Sequence, residues 1–257
     1  MNHTRTTLSI AAHLNESRIL SSLPADLNHS LPYIIGETNS LYNQGRPGLS
    51  NTFGAALWGL DFNLYCAATN LARVHMHQGT NYRYQAWQPV DTANTAKGTK
   101  APYYGNIAVA AFLGDITSPA GPPRIVNLPL PNEEESAYAA YAADGSLARL
   151  IVINMMSYNS TADNNYTDSY PRPIERYTFQ LPPSARGAQV DLQRLLANGS
   201  DAITGVTFDG YSYNYELENG LPVLLGNVTS GETARVGGNG RLRVDVERSS
   251  AVIVRFC

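Results

Sequence analysis

LPYIIGETNSLYNQGRPGLS occupies Leu31–Ser50. Tyr33, Ile34 and Ile35 form a short apolar run with two β-branched residues just after a proline, the pattern of a buried strand. The run ends at Gly36-Glu37, and a polar segment containing glycine follows at once. A carboxylate at the C-terminal end of a buried strand is poorly solvated and needs partners. In a barrel of parallel strands that end carries the catalytic groups. Elsewhere such a glutamate bonds loop amides, and the local pattern leaves both roles open.

Downstream, Ser50-Asn51-Thr52 offers N-caps for a helix over Phe53–Asn70, in which Phe53, Ala56, Leu57, Leu60, Leu64 and Ala67-Ala68 recur at helical spacing. Ala72–His77 is short enough for a strand and runs into Gln78-Gly79-Thr80-Asn81. Strand, helix and strand in that order predict a βαβ unit with parallel strands, whose crossover puts both strand ends on one side. Glu37 and the loop Gly79–Trp87 are therefore expected to be neighbours. His75 and His77 share a face of the second strand, but no acidic or thiolate partner lies at metal spacing, so no metal site is assigned.

Upstream, the apolar positions of residues 1–30 fit helical pieces broken near Pro24. Lys97–Gly114 reads as one further helix. The character then changes near Gly121-Pro122-Pro123. Short strand-like runs recur between turn residues at Arg124–Leu128, Ala137–Ala142, Leu147–Asn154, Glu175–Leu181, Gln189–Leu196, Val206–Phe208, Tyr213–Glu216, Val223–Leu225, Arg241–Val246 and Val252–Phe256. Such spacing predicts an antiparallel β-sandwich. Glu133-Glu134-Glu135 reads as a solvated turn. The fold class expected is thus α/β over residues 1–115 followed by an all-β domain over 116–257. One βαβ unit with flanking helices is too little for a closed (β/α)8 barrel, which takes about 250 residues.

The chain has 257 residues, 43% hydrophobic and 15% charged, a core-forming balance. A net charge of −3 argues against nucleic acid or an anionic membrane surface as the main partner. No apolar run approaches the roughly 18–20 residues needed to span a bilayer. Seven N-x-S/T sequons, at Asn2, Asn15, Asn28, Asn159, Asn165, Asn198 and Asn227, point to a secretory history. No apolar segment of a signal peptide follows Met1, which leads to the expectation that the natural N-terminus lies further upstream or that secretion does not apply. Cys66 and Cys257 make neither a disulfide framework nor a zinc site. Cys66 falls in the helical pattern as a small apolar residue, and a bridge between the two stays open for an oxidising compartment.

Gly36-Glu37-Thr38-Asn39-Ser40, Tyr42, the helix FGAALWGLDFNLYCAATN and the segment ARVHMHQGTNYRYQAWQP follow one another in an order that resembles glycoside hydrolase family 79, in its fungal β-glucuronidase branch. AITGVTFDGYSYNYELENG and the terminal SSAVIVRF resemble that family's C-terminal β domain. The resemblance covers nearly the whole chain and implies the last strands and helices of a (β/α)8 barrel with its appended β-sandwich. It implies a retaining glycosidase acting on carbohydrate that contains β-linked glucuronic acid, with or without a 4-O-methyl group, and without a cofactor. Glu37 would be the nucleophile at the end of the seventh barrel strand. The loop after the eighth strand, here Gly79 through Tyr82, Arg83, Tyr84 and Gln85, would grip the sugar carboxylate. Tyr84, or Tyr82 in the alternative register, would be its tyrosine contact, and Tyr42 would stand beside the nucleophile.

Retaining hydrolysis needs a second carboxyl about 5 Å from the first. The resemblance puts it on the fourth barrel strand, ahead of everything in this sequence. Glu16 sits in a helical segment, Asp61 on the outer helix, and Glu175, Glu216 and Glu218 in the β part. The expectation is a C-terminal half-enzyme, inactive alone and prone to associate through uncovered strand edges. A non-catalytic carbohydrate-binding protein, a truncated gene product and a heparanase-like relative with another specificity are the alternatives.

Overall fold

The computed structural model describes residues 1–24, 32–160, 168 and 170–256. Helix α1 (His3–Ser21) starts at Asn2, whose side chain accepts a hydrogen bond from the Arg5 amide at 3.0 Å. Strand β1 (Ile34–Thr38), helix α2 (Phe53–Ala68) and strand β2 (Arg73–Met76) follow. β1 and β2 pair in parallel, Ile34 with Arg73 and Ile35 with Val74, which is the βαβ unit expected.

Strand β1 departs from expectation in two respects. Glu37 lies within the strand rather than beyond its end, and the strand is half-buried, with Ile35 inside and Ile34 44% exposed. Among the described strands β1 pairs with β2 alone. Its other flank has no neighbour, and one face is covered by a small cluster of Ile10 from α1 with Phe62 and Cys66 from α2. Helix α2 is apolar almost all round because it is enclosed on two sides. Phe62 and Cys66 face β1 and β2, while Phe53, Ala56, Leu57, Leu60 and Leu64 face the opposite way.

Strands β3 (Trp87–Gln88) and β4 (Gly98–Thr99) form a short hairpin ahead of helix α3 (Ala101–Leu113). The helix therefore starts later than Lys97. Gly98 is in a conformation with φ +157°, and Pro102, lacking an amide N–H, fits only the first helical turn.

Eleven strands follow: β5 (Arg124–Leu128), β6 (Glu135–Tyr141), β7 (Leu147–Asn154), β8 (Ile174–Gln180), β9 (Gln189–Leu196), β10 (Thr207–Phe208), β11 (Tyr211–Ser212), β12 (Val223–Leu224), β13 (Glu232–Arg235), β14 (Arg241–Glu247) and β15 (Ser250–Phe256). Their pairings are all antiparallel. One sheet runs β12-β11-β10-β9-β15-β7-β6-β5 with β13 also on β9, and β8 and β14 form a separate two-stranded ladder. One face of the large sheet, with Tyr138, Ile151, Ile153 and Ile253, packs on α2 and α3. The other face, with Ala139, Leu150, Val152 and Val254, packs on Leu242, Val244 and Val246 of β14. A central strand buried on both faces must be apolar throughout, which is why β15 reads Ala-Val-Ile-Val without alternation.

Two sequence expectations are corrected here, and two features come from the structure alone. Tyr213–Glu216 is not a strand: its chain turns into the one-turn helix α4 (Tyr215–Glu218) after β11. Glu232–Arg235 is a strand with no apolar alternation to announce it. Glu135 is not in a solvated turn but opens β6, nearly buried, and accepts a hydrogen bond from the Tyr177 hydroxyl at 2.5 Å. Asp61, on α2, is fully buried, 2.7 Å from the Tyr138 hydroxyl and 2.9 Å from His3 Nδ1. Cys66 is a buried free thiol pushed up to about 12 by burial and by Asp61. Cys257, Asn28 and Asn165 lie outside the described residues. No described helix is long and apolar enough to cross a membrane.

Candidate active site

The ends of β1 and β2 and the loops that leave them make one surface. Past Thr38 the parallel pairing is continued by the His77 amide, which donates to Thr38 O at 2.9 Å. Asn39 then clamps the exit of β1, its Nδ2 donating to His77 O at 3.0 Å and its Oδ1 accepting from the Ser40 amide at 2.7 Å. The 43–50 loop folds back with Asn43 and Gly45 at positive φ. A Cβ on Gly45 would stand 3.0 Å from the Tyr84 ring and 2.9 Å from the Ser50 side chain, so glycine is what lets the ring pass.

The loop after β2 is closed on that first loop by two bonds. The Arg83 amide donates to Gln44 O at 2.7 Å, and the Tyr84 hydroxyl donates to Asn43 O at 2.7 Å. Tyr82 stacks on His77 at 5.2 Å and meets Tyr84 edge-on at 5.6 Å. Gly79 is required beneath it, because a Cβ there would fall 2.5 Å from the Tyr82 ring. Gln85 is fully buried; with its amide set by its neighbours, it donates to Gly79 O at 2.7 Å and accepts from Lys100 Nζ at 2.9 Å. Lys100 Nζ also donates to Tyr82 O at 3.2 Å. Burial, with Arg83 second, pushes the Lys100 ammonium down to about 8.

Glu37 is exposed at this surface. Its proximity registers on Tyr84, whose hydroxyl is held above its usual range by burial first, then by Tyr82 and by the Glu37 carboxylate. The expected neighbourhood of Glu37 and the Gly79–Gln85 loop is therefore present. Tyr42 is not drawn in: its side chain is 80% exposed and makes no hydrogen bond to Glu37. A tyrosine on an open loop has nothing here to hold its ring against the strand. Arg83 is half-buried, its Nη1 donating to Asn81 O at 3.0 Å. His77, Asn39 and Lys100 are site residues that sequence patterning does not single out. Lys100 had one signal, being one of only two lysines. Among the described residues no group of three or more His, Cys, Asp or Glu side chains is placed to hold a metal.

The arrangement is a single exposed carboxylate beside a tyrosine-rich loop with a half-buried ammonium beneath it. Such a set suits a nucleophile or electrostatic stabiliser next to a polar, ring-binding wall. No second carboxylate joins it among the described residues. Asp61 is bonded to His3 and Tyr138, Glu175 pairs with Arg248 at 3.4 Å, and Glu216 accepts from Asn214 Nδ2 at 2.9 Å. Of the sequons, Asn15, Asn198 and Asn227 are exposed, whereas Asn159 Oδ1 accepts from Ser200 Oγ at 2.7 Å.

Comparison with known proteins gives the setting. Residues 137–253 match the description "Glycosyl hydrolase family 79 C-terminal beta domain". A β-glucuronidase of Aspergillus niger is 55% identical over 259 residues, covering 99% of this chain and 46% of that protein. One from Neurospora crassa is 49% identical over 284 residues, covering 100% of this chain and 50% of that protein. The chain thus spans about half the length of these relatives. A 4-O-α-L-rhamnosyl-β-D-glucuronidase from Fusarium oxysporum 12S shares the fold with a TM-score of 0.76, at 24% identity over 100% of this chain and 49% of its own. A GH51 α-L-arabinofuranosidase from Thermotoga petrophila shares it more distantly, with a TM-score of 0.59 and 8% identity.

Proposed function

The chain carries the C-terminal β domain of glycosyl hydrolase family 79 over residues 137–253, and from that premise we propose that it is the nucleophile-bearing half of a retaining β-glucuronidase. The observation that carries the proposal is the position of Glu37, on a parallel strand next to the loop that holds Tyr84 and Gln85, within a chain 55% identical to a β-glucuronidase along 99% of its length. On this reading β1, α2, β2 and α3 are the closing part of a (β/α)8 barrel, and the antiparallel strands are its β-sandwich companion. Glu37 attacks the anomeric carbon, forming a glycosyl-enzyme ester as the aglycone oxygen leaves. The wall of Tyr82, Tyr84 and Gln85 receives the glucuronate ring and its carboxylate. The acid that protonates the leaving oxygen, and later activates water, is missing from this stretch of chain. Turnover by these 257 residues alone is therefore negligible. The exposed Asn15, Asn198 and Asn227 support a glycosylated, secreted setting.

The test replaces the matching half of the Aspergillus niger enzyme with this chain and follows release of an aryl group from an aryl β-glucuronide. The chimera is expected to turn over, and Glu37→Gln within it to lower kcat by about 10³-fold or more. The isolated chain is expected to give no turnover above buffer. Rates from the isolated chain near those of the full relative, abolished by Glu37→Gln, would overturn the half-enzyme reading. A Glu37→Gln chimera of full activity would overturn the nucleophile.

A further inference from the structure

A second cleft lies on the far flank of the Tyr82–Gln88 segment, between the β3–β4 hairpin, the start of α3 and the one-turn helix α4. It measures about 410 Å³, within the usual range for a small-molecule site. Gln88, buried in the wall of this cleft, accepts from the Asn81 amide at 3.1 Å. Trp87 turns outward, 49% exposed, into the second cleft.

Among the described residues the ring contact of Trp87 is Tyr103, edge-on at 6.2 Å. Leaving that much indole in water is unfavourable. Tyr215 faces it from α4, with Lys97 Nζ 5.1 Å from the Tyr215 ring centre. Lys97 is the one charged residue lining the cleft. The walls are held in place from beneath: Thr99 Oγ1 donates to Tyr213 O at 2.7 Å, tying the hairpin to the chain just before α4. Gly98 and Gly220 leave the cleft open, with nothing within 4 Å of a Cβ on the first and only contacts of 3.9 and 4.0 Å, to Tyr213 O and Thr99 Oγ1, on the second.

An aromatic plate, a second ring opposite and an ammonium at the rim match one chemistry. A pyranose ring has one face of axial C–H bonds, which packs on an indole while its hydroxyls take hydrogen bonds at the edges. A carboxylate on that ring is attracted to the ammonium. Polyaromatic or purely apolar ligands leave Lys97 and the polar rim unused, and nucleic acid is disfavoured by the net charge of −3.

We infer that the Trp87–Lys97–Tyr215 cleft is a second carbohydrate subsite, taking an acidic pyranose unit of the glycan that carries the scissile residue. The inference rests on the glucuronidase reading for its ligand class, but its site is separate from Glu37.

The test titrates the 257-residue chain with a glucuronic-acid-containing oligosaccharide and follows the indole N–H resonance of Trp87, assigned with Trp58→Phe. A saturable shift is expected. Trp87→Ala is expected to weaken binding, measured by calorimetry, at least tenfold, and Trp87→Phe by less. Carboxyl-reduced oligosaccharide is expected to bind severalfold more weakly, and Lys97→Gln to erase that difference. Glu37→Gln is expected to leave the titration of the Trp87 indole N–H unchanged. This separates the cleft from the active site: loss of hydrolysis in the chimera leaves this result standing, and the reverse also holds. Absence of saturable binding, or affinity indifferent to Trp87→Ala in a variant with native circular dichroism, would overturn the subsite. Equal affinity for acidic and carboxyl-reduced sugars would overturn the role of Lys97.

Discussion

Gly105 in α3 is where α2 and α3 approach most closely, and replacing it by alanine tests how the helices hold the site. A Cβ at position 105 would stand 2.5 Å from Ala56 O, and 3.2 Å from Ala56 C and Cα. The obstacle is backbone in the first turn of α2, not the tip of a side chain. The oxygen is about 0.9 Å short of ordinary van der Waals contact, so the two helices must separate. Separation loosens Tyr104, Ala108 and Phe112 of α3 against Leu57 and Leu60 of α2, all buried. Overpacking of this kind costs about 1–3 kcal/mol, and rigid backbone puts it toward the upper end. The gain in helix propensity from glycine to alanine returns only about 1 kcal/mol. The net expectation is a loss of roughly 1–2 kcal/mol. Gly59, in α2, is the control: nothing lies within 4 Å of a Cβ there, so Gly59→Ala is expected to stabilise by about 0.5–1 kcal/mol. Urea unfolding followed by circular dichroism reads both as shifts in midpoint at unchanged slope. The two substitutions are predicted to move in opposite directions. A neutral or stabilising Gly105→Ala, or a shared sign, refutes the close approach.

Three further outcomes are expected. His3 is held above its ordinary value: burial opposes the charge, but Asp61, and then Asn127, outweigh it. A raised pKa stabilises the fold fully below the unfolded value of about 6.5, and that contribution is lost as pH rises through the higher folded value. Unfolding midpoints should therefore fall from mildly acidic to alkaline pH, and His3→Gln should flatten that slope. With only two lysines in the chain, ¹³Cε resonances of labelled lysine resolve the loop chemistry: Lys100 should titrate near 8, and Lys97, pushed up by Tyr215, above the ordinary lysine value. Two titrations in the ordinary lysine range would remove the half-buried ammonium from beneath Gln85. Tyr84→Phe deletes the 2.7 Å bond to Asn43 O and leaves that carbonyl without its loop partner, so a loss of about 1 kcal/mol is expected in unfolding. Amide exchange at Arg83 should speed up with it, and unchanged exchange would show that the loops are held by other contacts.

The repeating apolar spacings of α2, β1 and β2 suffice to predict a parallel βαβ unit, because a crossover of that length admits one handedness and puts both strand ends together. From that, Glu37 and the Gly79–Gln85 loop could be expected side by side before any coordinates. Short strands with turn residues between them likewise announce most of the antiparallel sheet. Where local pattern and structure part, long-range contacts are the cause. Glu232–Arg235 has no apolar alternation and is a strand because β9 offers a free edge. Glu135 looks like a surface carboxylate in the sequence, yet it and Asp61 are buried because Tyr177, Tyr138 and His3, distant in the chain, bring hydrogen bonds to them. Burying a charge is tolerated only where partners converge, and convergence is invisible to a sequence window. Tyr42 shows the converse. Five residues past Glu37, it is a neighbour by what the family resemblance implies, but an open loop leaves its ring in solvent. Residue types and their periods carry the elements of this protein and the chemistry available to them; which side chains meet is a property of the packed chain.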